Sequence, residues 1–295
     1  MLEYRCLNAD LTQVTFNLFN ISNIRNIKGY ALQHLVWDFD PVFFSIGPLT
    51  IHWYGVLFAT AILSGLQVMK WIFQTEKQDL AKLDNLLFYI VIGVILGARL
   101  GHCFFYDPSY YFANPMKIIA IWEGGLASHG GGLGAIIAAG IYSKKNQMNF
   151  LWLLDRLAIC TALFGFFVRS ANFVNSEILG TPSNVPWAVI FSRIDNLARH
   201  PAQLYEALAY LTIFFVLMIF YKQKKAQTPP GAILGVFLVL IFTARFLIEM
   251  LKEKQAAYAA DIALTAGQML SIPFFIAGVL LIIWSIKNNK KVKQS

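Results

Sequence analysis

Residues 150–177 read FLWLLDRLAICTALFGFFVRSANFVNSE, and this stretch decides the class of fold. It begins as a predominantly apolar run over 150–170, close to the length a helix needs to cross about 30 Å of hydrocarbon. It closes on Arg169, Asn172, Asn175 and Glu177. Spacings of three put Arg169, Asn172 and Asn175 on one helical stripe at the end of that span. An arginine at such a depth is costly unless it is paired, wet or functional. A snorkelling anchor at the interface would account for Arg169 alone. It does not account for polar residues that extend the same face.

Apolar runs of similar length recur at 51–73, 84–106, 127–143, 203–221, 231–251 and 267–286, which predicts seven spans in all. The third is the weakest, being rich in glycine and opening near His129. Composition agrees. Of 295 residues 57% are hydrophobic and 14% charged, against about 45–50% and 25% in soluble domains, and the mean hydropathy is +0.57. A disordered chain and most soluble enzymes are excluded. The expected fold is an all-α integral membrane bundle.

The net charge of +8 would suggest nucleic acid in a soluble protein. Here the basic residues cluster between apolar runs, so they read as cytoplasmic loops, with no nucleic-acid partner expected. One side receives Lys70, Lys77, Lys82, Lys144, Lys145, Lys222, Lys224, Lys225, Lys287, Lys290, Lys291 and Lys293. The other holds Lys117, Arg193, Arg199, Lys252 and Lys254. That bias places the C-terminus in the cytoplasm, and seven spans then place the N-terminus outside. The outer loops are 107–126, 171–202 and 252–266. Loop 171–202, with Pro182, Pro186 and Pro201, is expected to form a small structured cap.

Residues 1–35 are polar and Asn-rich, an N-terminal extension of unassigned role before a membrane domain over 36–295. They lack an apolar core after a basic start, so no secretory signal peptide is expected. Cys6, Cys103 and Cys160 lie far apart without C-x-x-C spacing, which predicts neither a disulfide framework nor a metal site. No internal repeat suggests the inverted halves of a transporter.

Five charged or titratable positions stand out by their depth in the runs: Arg99, His129, Arg169, Arg245 and Glu249. Arg245 and Glu249 are four apart and share a helical face, where they could pair. Gly93, Gly97 and Gly101 match Gly130-x-x-x-Gly134 as small-residue packing stripes. His129 reads either as a structural hydrogen-bond donor or as a proton acceptor. On the predicted topology Arg99, His129, Arg169 and Arg245 reach similar depth near the outer leaflet. Guanidinium forks match phosphate oxygens. The composite is a site for an anionic lipid head group beside a proton acceptor.

At these residues the chain resembles the prolipoprotein diacylglyceryl transferases of the bacterial inner membrane. The likeness is carried by His52-Trp53-Tyr54-Gly55, by Gly97-Ala98-Arg99-Leu100-Gly101 and by Ser128-His129-Gly130-Gly131. It continues in Arg169-x-x-Asn172-Phe173-x-Asn175-x-Glu177-x-x-Gly180, in Arg199-His200-Pro201-Ala202-Gln203-Leu204-Tyr205-Glu206 and in Arg245-Phe246-x-x-Glu249. Six motifs in the right order cover roughly residues 35–285. Val168 stands where the family usually has Gly, and Lys252 where an Arg commonly follows the Arg/Glu pair. No core motif residue is lost.

The resemblance implies transfer of a diacylglyceryl group from phosphatidylglycerol to the cysteine thiol of a prolipoprotein signal peptide, with glycerol phosphate leaving. His129 is the candidate base for the thiol, and Arg169 and Arg245 the candidate charge stabilisers. Tyr54, Arg99, Asn172, Asn175, Glu177 and Gly180 are expected around the head group, with Arg99 either on phosphate or bracing its own helix. Glu249 is expected to hold Arg245. Arg199, His200 and Glu206 are expected to tie the cap to the bundle. No cofactor or metal is implied. An anion transporter would need polar residues along the full depth of several helices, whereas here they cluster at one end. Another enzyme of phospholipid head groups, or an inactive family member, would carry the same arginines.

Overall fold

The computed structural model describes residues 34–253 and 264–294. Six helices among them are long and apolar enough to cross a membrane. They are α1 (Trp53–Thr75), α2 (Ala81–Phe105), α5 (Phe150–Val174), α6 (Ala202–Lys224), α7 (Ala232–Glu249) and α8 (Ala266–Gln294). The run expected at 127–143 is also a helix, α4 (Ser128–Lys145), but His129 and the terminal Lys144 and Lys145 leave it less apolar than the six. The short α3 (Pro108–Ala113) and two 3-10 turns at 115–119 and 121–123 fill the loop between α2 and α4.

Glycine sets the α2–α4 contact. Gly93 and Gly97 lie backbone to backbone against Gly130 and Gly134, so a methyl built on Gly130 would enter the carbonyl of Gly97. The Ala127 amide donates to the Ala98 carbonyl at 2.9 Å, which fixes where α4 starts on α2. Small residues on both helices permit this approach, and close backbone contact is what holds helices together when lipid supplies no hydrophobic drive.

Between α1, α5, α6 and α7 runs a buried apolar core that includes Ile72, Ile159, Phe214, Leu217 and Ile233. At the end of the bundle away from the cap it meets a buried polar network that the sequence reading missed. Asp155 accepts from the backbone amides of Gly231 at 2.8 Å and Leu234 at 2.7 Å, and so caps the N-terminus of α7. Arg156 donates to Glu76 Oε1 through Nη2 at 2.8 Å and stacks on the Trp152 ring. Arg156 and Asp155 are fully buried.

The cap is where the structure departs from an all-α expectation. Parallel pairing joins β1 (Leu35–Trp37) to β4 (Val189–Phe191), which pairs antiparallel with β5 (Ala198–Arg199). A hairpin of β2 (Val42–Ile46) and β3 (Leu49–His52) turns at Gly47 and leads into α1. Strands of two to five residues are too short for alternation to reveal. Phe173, Val189 and Phe191 pack with Trp37, Leu179 and Leu204 as the cap's own core. Helix α5 continues to Val174, so Arg169 and Asn172 belong to a helix, and the cap loop starts later than the expected 171.

Candidate active site at the capped end of the bundle

The polar stripe predicted at the end of α5 forms a hydrogen-bonded cluster. Asn172 is buried; its Nδ2 donates to Glu177 Oε2 at 2.8 Å, and its Oδ1 accepts from Arg169 Nη1 at 3.4 Å. Asn175 Nδ2 donates to the other Glu177 oxygen at 3.1 Å. Ser176 and Ile178 both adopt the left-handed region, at φ 57° and 54°, so the backbone turns sharply on either side of Glu177. Non-glycine residues rarely do this, and such strain gathers at functional sites. The Tyr54 phenol faces the same group, within electrostatic reach of Glu177, Arg169 and Asn172.

Gly180 follows where the chain brings two cap segments together. A side chain there would strike the His200 carbonyl. Its carbonyl accepts from Arg199 Nη1 at 3.2 Å. Arg199 also bonds Asp195 through Nη2 at 2.6 Å and pairs with Glu253 at 3.2 Å. The Arg199 hydrogen bond holds the Asp195 carboxyl below the usual carboxylate range. His200 Nδ1 lies 3.1 Å from the Tyr205 hydroxyl, which accepts from Trp187 Nε1 at 2.7 Å. Arg199 and His200 therefore link the cap's loops to one another and to the start of α6.

Glu206, grouped with those two in the sequence reading, lies at the start of α6 and turns toward α5 and the segment after α7. It is buried on the first turns of α6, with Oε2 3.1 Å from Arg169 Nε and Oε1 accepting from Lys252 Nζ at 2.7 Å. Gln203, one turn earlier and fully buried, donates to the Glu177 carbonyl. Lys252 reaches Glu249 Oε2 as well, at 3.4 Å. The expected Arg245–Glu249 pair is not among the ion pairs of the described residues. Glu249 instead turns toward Lys252 and the first turn of α8, where its carboxylate lies against Gly267. That turn carries a capping box, in which Gln268 Oε1 accepts from the Thr265 amide at 3.0 Å and Thr265 Oγ1 from the Gln268 amide at 3.2 Å.

Arg245 lines a small cavity between α6 and α7 with Glu206, Tyr210 and Ile241. Tyr210 lies against Gly165, one turn before Arg169, and within electrostatic reach of both arginines. Sequence reasoning missed Tyr210 and Gln203. Gln203 lay inside a quoted motif, whereas an aromatic in an apolar span carries no signal of its own.

Two expected residues stand apart from this cluster. The buried Arg99 guanidinium donates to the carbonyls of Lys117 at 2.5 Å, Ile118 at 2.9 Å and Gly125 at 3.2 Å, and also to that of Gly124. Tyr111 covers it, 5.2 Å from ring centre to guanidinium carbon. It braces the 107–126 loop. His129 is exposed in the first turn of α4, and its ring makes no hydrogen bond among the described residues.

Arg169, Asn172, Asn175 and Glu177 thus gather at the end of α5 with Gly180 just beyond, and Arg245 lines a cavity with Glu206, which holds Arg169. The family model for prolipoprotein diacylglyceryl transferase matches residues 41–284. The chain belongs to this family. Relatives named phosphatidylglycerol–prolipoprotein diacylglyceryl transferase include that of Tolumonas auensis, 48% identical over 87% of this chain and 100% of the relative. That of Chloroherpeton thalassium is 46% identical over 89% of this chain and 98% of its own length. That of Porphyromonas gingivalis is 44% identical over 88% and 98%. The family match takes in every helix from α1 to α7 and all but the last turns of α8, so the whole polar cluster lies inside it.

Proposed function

We propose that this chain transfers the diacylglyceryl group of phosphatidylglycerol to the thiol of the acceptor cysteine in a prolipoprotein signal peptide, the first step of bacterial lipoprotein maturation. The observation that carries this reading is the juxtaposition of Arg169 and Arg245 across Glu206 and Tyr210, at the end of the bundle where a lipid head group would lie. The thiol sulfur attacks the glyceryl carbon bonded to phosphate. A carbon–sulfur bond forms and the carbon–oxygen bond breaks, so the products are a thioether and glycerol phosphate, with the thiol proton passed to a base.

The donor phosphodiester carries one negative charge, and the leaving monoester gains another. Arg169 and Arg245 meet that developing charge, which is worth most where water is excluded. Asn172, Asn175, Glu177 and Gly180 shape the floor on which the glycerol head rests, with Tyr54 beside them. Glu249 holds a further cation, Lys252. Arg99 holds the 107–126 loop over the helix ends. His129, whose ring makes no hydrogen bond among the described residues, takes the thiol proton; a free thiol of pKa near 8.5 is mostly protonated at neutral pH.

In this reading α4 is the seventh span, the N-terminus faces the periplasm and the C-terminus the cytoplasm of the inner membrane. The cap, built on the 175–201 loop, sits at the periplasmic leaflet. Lys82, Lys144, Lys145, Lys222 and Lys224 support it, because they lie at the helix ends opposite the cap. Residues 1–33, most of the proposed N-terminal extension, lie outside the described residues. Both substrates are amphipathic and enter sideways from the bilayer.

The test is release of glycerol phosphate from phosphatidylglycerol in nanodiscs. Release should require a signal peptide with its cysteine and stop when that cysteine is serine. Release without the cysteine peptide would instead fit a hydrolase of lipid head groups.

A further inference from the structure

Lys252 stands at the end of α7 in a segment that the fold pins to the cap. The Thr181 amide donates to the Leu251 carbonyl at 2.8 Å, and the Glu253 amide to the Leu179 carbonyl at 3.1 Å, so Gly180 and Lys252 face each other as a β-bridge. The Lys252 side chain is nine-tenths buried and ends on Glu206. The Glu206 carboxylate thus divides between two cations, Lys252 at Oε1 and Arg169 at Oε2. Glu206 alone would neutralise Arg169 in a poorly solvated place. Lys252, closer to Glu206 than to Glu249, takes up part of the Glu206 charge, so Arg169 keeps more of its positive charge for a substrate anion while the carboxylate still fixes where the guanidinium points. Arg169 itself is the most exposed of the three side chains, at 16%.

We propose that Lys252 is a positioning residue for the transfer, acting through Glu206 to set the place and the free charge of Arg169. This deepens the proposed function and rests on it. Lys252 touches no reacting atom. Its loss leaves Glu206 facing Arg169 and Glu249 with one cation too few, which pulls Arg169 away from the leaving phosphate. A misplacement of this kind costs up to about 100-fold in rate.

The experiment measures diacylglyceryl transfer by the full chain in nanodiscs containing phosphatidylglycerol, with a cysteine signal peptide as acceptor. Lys252→Met should lower kcat by about 10–100-fold. KM for the lipid should stay within about twofold, because the lost interaction is one made mainly in the transition state. Lys252→Arg, which restores the charge, should recover most of kcat. Glu206→Gln added to Lys252→Met should cost much less than the product of the two single losses, as expected for residues that act as one unit. Wild-type kcat in Lys252→Met would overturn the proposal, as would a rise in KM alone or failure of Lys252→Arg to rescue. If Lys252→Met does not fold, Lys252→Gln carries the same test, and loss of folding in both would mean a structural role and overturn it too. A wild type without transfer would instead count against the proposed function itself.

Discussion

Glu206 Oε2 lies 3.1 Å from Arg169 Nε, an ion contact between α5 and α6 at the depth where charge is costly. The carboxylate does not spend Arg169, because Lys252 shares it. From this follows the first expectation. Arg169→Ala should reduce kcat by roughly 10²–10³-fold, the cost of removing one preorganised stabiliser of developing charge. Arg169→Lys should not restore it, since an ammonium lacks the planar fork that meets two phosphate oxygens. Steady-state kinetics in nanodiscs, on protein with an unchanged melting midpoint, checks both.

His129 as the base makes a different kind of prediction. In His129→Ala the thiol must ionise unaided, so the loss should be large at neutral pH. It should shrink as pH rises toward the thiol pKa near 8.5. A pH series of kcat for wild type and variant checks this. A deficit that stays constant with pH would assign His129 a structural role.

The α2–α4 crossing leaves no space for side chains where Gly134 meets Gly93. Gly134→Val should separate the helices and lower stability by about 1–3 kcal/mol, the usual cost of overpacking. Gly132, which meets nothing nearby, should accept Ala with little change. Melting midpoints in detergent distinguish the two.

Far from the cap, Arg156→Met would leave Glu76 and Asp155 buried without their shared cation. Breaking a buried pair in this way costs about 3–5 kcal/mol. The variant should melt far below wild type, while any protein that does fold should keep its KM for lipid.

Asp195 gives the cap a defined acid dependence. Its carboxyl is held below the ordinary value of 3.8 by Arg199, which stays charged throughout. The folded value is therefore the lower one. The pair contributes fully above the unfolded value and loses its contribution as pH falls through the folded one. Asp195→Asn should melt below wild type at pH 6, and the gap should narrow as pH falls below the unfolded value of 3.8 and vanish only below the folded one.

The sequence carried the helical spans and the α5 stripe, because both are periodic and local. Arg169 and Asn172 meet as their three-residue spacing implies, whereas Glu177 reaches Asn172 and Asn175 only because the chain turns at the left-handed Ser176. The partners of Arg169 and Glu249 were not legible, since Glu206 and Lys252 arrive from other elements and pairing across helices leaves no mark on spacing. The i, i+4 relation of Arg245 and Glu249 pointed to a pair, yet Lys252 lies closer to Glu249 once the segment after α7 docks on Gly180. Asp155 and Arg156 escaped notice at the polar-flanked start of an apolar run, where charge reads as a loop boundary. The short strands of the cap were invisible for want of length.

The central claim is that the two arginines at the capped end serve transfer to a thiol. The most direct measurement is the mass of a cysteine signal peptide after incubation with the protein and phosphatidylglycerol of known acyl chains. The account predicts one added diacylglyceryl group on the cysteine, present with wild type and absent with Arg169→Ala and Arg245→Ala. An unmodified peptide from folded wild-type protein, or equal modification by the arginine variants, would contradict it.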